Sequence, residues 1–87
     1  MPELCRFFGI VISINYDAHS PPHFHAEYNE YDAPISIATG LPLEGYLPPK
    51  QLKFVKRWYD LNKLELIAVW DTAKQQKPVA KMNPLEK

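Results

Sequence analysis

All three histidines of the chain fall in one short stretch, Asp17-Ala18-His19-Ser20-Pro21-Pro22-His23-Phe24-His25-Ala26-Glu27. Alternation over 23–28 reads as a strand, on which His23, His25 and Glu27 point one way and Phe24, Ala26 and Tyr28 the other. Side chains two apart on a strand lie about 6–7 Å from each other on the same face. Two imidazoles at that spacing can converge on one ion at about 2.1 Å from each nitrogen. Asp17 and His19 could fold back from the loop that Pro21-Pro22 stiffens. His19, His23, His25, Glu27 and Asp17 are thus candidate ligands for a divalent metal such as zinc. The plain alternative is that polar residues simply occupy the solvent side of an antiparallel strand.

A second chemistry uses the same pair. His23 and His25 could act as base and acid on either side of a phosphate, as in metal-free RNA cleavage. Such a site needs cations, and Arg6 is the one basic residue among the first 47. Asp17 and Glu27 beside the imidazoles repel a phosphate and attract a metal or a basic surface.

The charges are distributed unevenly. Residues 1–47 hold one arginine against six carboxylates, a net of −5; residues 48–87 hold nine lysines and arginines against four carboxylates, a net of +5. The whole chain is neutral, which argues against a general nucleic-acid binder. Lys50, Lys53 and Arg57 form a basic stripe that could contact a phosphate or a partner, or could be the solvated face of a helix. Cys5 is the only cysteine, so no internal disulfide can form, and it reads as a structural residue in a reducing compartment. The N-terminus does not read as a signal peptide. The longest apolar run, Phe7 to Ile12, is too short for a bilayer. These features place the expected location in the cytoplasm.

The elements that would position these residues follow from periodicity. With 46% hydrophobic and 13% aromatic residues the 87-residue chain can build a core, and its length suits one domain, 1–87. Residues 6–16 alternate as one central strand, with Phe8, Ile10, Ile12 and Ile14 on one face. Asn29-Glu30 is a two-residue hairpin turn, and 31–38 form a strand that Pro34 confines to an edge. A short strand over 42–47 follows. Pro49 opens an amphipathic helix over 50–61, with Leu52, Phe54, Val55, Trp58, Tyr59 and Leu61 inward. Asn62 would end it and cap a second helix, with Glu65 completing a capping box; that helix runs to about Gln76 with Leu66, Ile67, Val69, Trp70 and Ala73 as its apolar stripe. The expected fold is α+β: a small antiparallel sheet of three to four strands over about 6–47, then two amphipathic helices over about 49–76 packed on one face. Residues 77–87 form a tail, either loose or a short added strand. Trp58 and Trp70 belong to the core, and His23, His25 and Glu27 to an exposed strand face.

Arg6-Phe7-Phe8-Gly9-Ile10-Val11-Ile12, Asp17, His19 and the run Pro21-Pro22-His23-Phe24-His25-Ala26-Glu27-Tyr28 carry a resemblance. So do Leu43-Glu44-Gly45, Leu47-Pro48 and Trp58. Together they resemble the bacterial domain of unknown function 4160 family over nearly the whole chain. That resemblance implies no established activity. Genes of the family often sit beside those of a second small family, domain of unknown function 2442, which implies a small protein partner and a toxin–antitoxin-like pairing. Family members often carry an acidic residue where this chain has Ala18, so one potential oxygen ligand is missing. The expected function is a protein-partner-binding module; the alternatives are a histidine-dependent RNase or a metal-binding regulator.

Overall fold

The computed structural model describes residues 2–86. Four antiparallel strands, β1 (Glu3–Phe7), β2 (Ile10–Ser13), β3 (His23–Tyr28) and β4 (Tyr31–Ser36), form a meander in the order β1-β2-β3-β4. One long helix, α1 (Pro49–Lys74), follows. The expected α+β class holds, with one helix in place of two.

The stretch expected as one strand over 6–16 is a hairpin. Phe7 pairs with Ile10 and Cys5 with Ile12, leaving Phe8-Gly9 as the connection. Phe8 has φ 51° and Gly9 φ 79°. Positive φ at both central residues matches the twist of a tight hairpin. A bulky aromatic rarely takes the left-handed region. Phe8 is held there by its ring packing on Phe54, with centroids 4.9 Å apart, and it stays 44% exposed rather than joining the core row with Ile10, Ile12 and Ile14.

Asn29-Glu30 does connect β3 to β4, with Tyr28 opposite Tyr31. The strand register stacks Cys5, Ile12, Ala26 and Ala33 in one row on the helix-facing side. β4 is an edge strand, as Pro34 requires. The strand expected over 42–47 is reduced to a single bridge, Pro42 with Ile35. Backbone bonds from Ser36 N to Leu41 O and from Leu43 N to Pro34 O nevertheless cover part of the β4 edge.

In α1 the buried residues Val55, Trp58, Tyr59, Leu66, Val69 and Trp70 fall within one arc of about 120° at 100° per residue. Both halves of the helix therefore present one continuous stripe to the sheet. Asn62 kinks the helix without ending it (φ −124°, ψ 15°). Its side-chain Nδ2 donates to Trp58 O at 2.8 Å, back toward the preceding turn, where a capping residue would accept from the following one. Leu61 and Ile67 lie outside the buried arc and are 72% and 48% exposed, corrections to their expected inward positions. The helix stops at Lys74, followed by Gln76 at φ 60°.

Trp58 and Trp70 are buried, as expected. The Trp58 ring meets Phe7 and Phe24, with centroids 5.9 and 5.5 Å away. The tail after α1 adds no strand but packs down: Met82 N donates to Leu4 O, the Trp58 Nε1–H donates to Asn83 O at 2.8 Å, and Met82 and Leu85 are buried.

Candidate functional site

The sheet face away from α1 carries two polar rows. Arg6, Val11, Glu27 and Asp32 form one; Glu3, Ser13, His25 and Pro34 form the next. His23 stands beyond them, opposite Ser36. The expected separation of His23, His25 and Glu27 from Phe24 and Ala26 is present, but the face is not uniformly open. His23 is buried, and His25 and Glu27 are half-buried.

The cause is long-range packing. The His23 ring lies against Trp70 of α1, centroids 5.5 Å apart, and meets the His25 ring edge-on at 5.1 Å. His23 Nδ1 is 2.9 Å from Pro21 O. A carbonyl only accepts, so Nδ1 carries the proton and donates. His25 Nδ1 is shut off from solvent without a hydrogen bond, and its nearest charged neighbour is Asp32 Oδ1 at 3.6 Å. Asp32 was not among the sequence candidates. The Asn29-Glu30 turn was the signal that could have found it, because a two-residue connection sets Asp32 opposite Glu27 and diagonal to His25.

Asp17 and His19 do not join this group. They form a turn of their own, in which the Asp17 carboxylate accepts from His19 N at 2.9 Å and from Ser20 Oγ at 3.0 Å. The His19 amide, then the Ser20 hydroxyl, hold the Asp17 carboxyl below the usual carboxylate range. Among the described residues no group of three or more His, Cys, Asp or Glu side chains is placed to hold a metal ion. The metal set expected from His19, His23, His25, Glu27 and Asp17 is therefore not assembled. Spacing brought two imidazoles together, but the loop turned its own ligands elsewhere.

An acid–base pair working on RNA needs cations beside it. Arg6 shares the outer face but is bonded through Nε to Glu3 at 2.8 Å, and the carboxylates near the imidazoles are Asp17, Glu27 and Asp32. Cys5 is buried, and burial, then the Glu3 charge, push its thiol up to about 12, which removes it as a nucleophile.

The basic stripe stands on α1. Lys50, Lys53 and Arg57 are exposed, and none makes an ion pair among the described residues. Further along the helix come residues that the sequence reading missed as a surface. Leu61 is 72% exposed, Leu64 83% and Ile67 48%. Spaced at i, i+3 and i+6, they form a ridge on the solvent side, with Leu64 directly opposite the buried arc.

The chain is thus an α+β domain in which a kinked helix lies across a four-stranded antiparallel meander, with the histidine strand next to one edge. The profile of the domain of unknown function 4160 (DUF4160) family matches residues 9–71, and the chain belongs to that family. No curated protein and no solved structure matches the chain. No helix among the described residues is long and apolar enough to cross a membrane.

Proposed function

We propose that the chain is a protein-partner-binding module whose contact surface centres on the ridge Leu61, Leu64 and Ile67 of α1. The observation that carries this reading is the exposure of two leucines at 72% and 83%, side by side on the helix face opposite the core. Apolar residues scattered singly over a surface need no explanation, but a contiguous ridge bordered by charge marks an interaction site. Lys63 and Glu65 border it, as the polar rim of an interface would. Membership of the DUF4160 family adds a candidate partner, a small protein of the domain of unknown function 2442 family, and with it a toxin–antitoxin-like role.

The test is co-expression with such a protein, followed by size-exclusion chromatography with light scattering. A stable complex is expected, and Leu64→Asp should weaken it by about tenfold or more, equivalent to about 1.4 kcal/mol, while the circular dichroism spectrum is unchanged. A chain that elutes alone, or a complex indifferent to both Leu61→Asp and Leu64→Asp, refutes the reading.

A further inference from the structure

We propose that the groove between α1 and residues 37–41 receives an acidic, extended segment of the partner through two apolar anchor side chains. This rests on the partner-binding reading and names the chemistry of the partner.

Two hollows lie along this flank of the helix. The first, of about 540 Å³, has Leu41, Pro49 and Leu52 as its apolar wall and Lys53, Lys56 and Arg57 as its rim. The second, of about 410 Å³, is formed by Pro22, Ile37, Ala38, Ile67 and Trp70, with Lys63 at its edge. Tyr59 lies between them along α1, beneath the surface. Its hydroxyl donates to Ile37 O at 2.6 Å, and Gly40 sits so close that a Cβ there would lie 2.5 Å from the ring. Lys56 and Lys63 both reach over this ring, their Nζ atoms 5.4 and 6.0 Å from its centroid.

The charge on this groove is one-sided. The wall made by Pro22 and residues 37–41 has no ionisable side chain. The α1 wall has Lys53, Lys56, Arg57 and Lys63 against Asp60 alone. Lys56 is bonded to Asp60 at 2.7 Å, which leaves Lys53, Arg57 and Lys63 without an ion pair among the described residues. Unpaired cations beside apolar walls favour carboxylates on the incoming chain. RNA would also meet the cations, but it needs aromatic faces on which bases can stack. Tyr59 is 3% exposed and Trp70 9%, so neither offers one. The hollows are centred about twelve helix residues apart, or about 18 Å. An extended chain covers that in about six residues, and residues six apart share a face. The fitting segment therefore has two bulky apolar side chains about six residues apart with acidic residues between them.

The probe is an end-blocked synthetic peptide of about twelve residues, with two leucines at that spacing and glutamate or serine elsewhere, titrated into the full chain and followed by NMR. Saturable shifts are expected at the amides of Ile37, Ala38, Leu41 and Lys63 and at the Trp70 indole. Affinity should fall as salt screens the charges, and Lys53→Glu or Lys63→Glu, both surface changes, should weaken binding by about tenfold. Three outcomes overturn the proposal: no shift at millimolar peptide, equal affinity for a lysine version of the peptide or a uridine oligonucleotide, or shifts confined to Leu61 and Leu64. A partner complex lost in Leu64→Asp yet untouched by Lys63→Glu also overturns the groove while leaving the partner-binding reading intact.

Discussion

Trp58 joins the core to the tail, and its replacement measures both. The side chain is fully buried, packs on Phe7 and Phe24, and donates its indole N–H to Asn83 O. Trp58→Ala removes the ring and leaves a cavity, at a cost of about 3–5 kcal/mol. At about 0.05–0.15 kcal/mol per residue, a chain of this length is stable by about 4–13 kcal/mol in total, so that variant loses about a quarter or more of it. Trp58→Phe is the more informative change. It keeps an aromatic ring in place, deletes the N–H at a cost of about 1 kcal/mol, and loses ring volume for about another 1 kcal/mol. With about 4–8 °C per kcal/mol for a domain of this size, the melting temperature should fall by about 8–16 °C. The tail should loosen as well. Hydrogen exchange at the Met82 amide, which donates to Leu4 O, should speed up more than exchange in the β2–β3 ladder. An unchanged melting temperature for Trp58→Phe, with the Met82 amide as protected as before, would refute this account of how the tail is held.

Gly40→Ala should cost about 3 kcal/mol in urea unfolding, because φ is +77° and the new methyl meets the buried, hydrogen-bonded Tyr59 ring. Gly9→Ala, whose Cβ would meet the half-buried Tyr28 ring at 3.3 Å, should cost less, and equal costs would contradict the packing at Tyr59. Asp17 should titrate below the ordinary carboxylate range by NMR, and Ser20→Ala should move it upward. Because the native value is the lowered one, the turn's contribution is present above the unfolded-state value and is lost as pH falls through the native one; an Asp17 titration unmoved by Ser20→Ala would discount the hydroxyl.

Legibility in the sequence followed the range of the physics involved. The β3–β4 hairpin, the opposed faces of β3 and the buried stripe of α1 rest on periodicity and one turn signal, and all are present. The β1–β2 hairpin was hidden because its turn places Phe8 where turn chemistry calls for Asn, Asp or Gly, and the ring contact with Phe54 across 46 positions stabilises it. The boundary expected at Asn62 is present as a kink, where the backbone leaves the helical range, but the amide bonds back to Trp58 O instead of capping a new helix, and both halves run on as one element. The ridge was missed for a related reason: Leu61 and Ile67 sit at the margins of the apolar arcs, and only the direction of the sheet settles on which side of those margins they fall. At the histidine row, spacing brought the rings together, but their burial depended on Trp70, 47 residues away from His23.

That contact gives the Pro21-Pro22-His23-Phe24-His25 run a part in the packing of the fold. Pro22 lines the second hollow, and its carbonyl accepts from Ile37 N at 3.0 Å, which ties the 37–41 wall to the start of β3. His23, fixed by its bond to Pro21 O, stands against Trp70, another residue of that hollow. Phe24, on the opposite face, meets both Trp58 and Tyr59, with centroids 5.5 and 6.4 Å away. Pro22 and the first two residues of β3 thus touch, in turn, the 37–41 loop, the end of α1 and the Tyr59 ring between them. A strand can do this because alternate side chains leave it in opposite directions, so His23 reaches the far end of α1 while Phe24 reaches its middle. The prolines suit this role, since each fixes φ and leaves its carbonyl free to accept, as Pro21 and Pro22 both do here. The residue types that suggested a metal or a catalytic pair thus also carry the packing between the sheet, the 37–41 loop and α1.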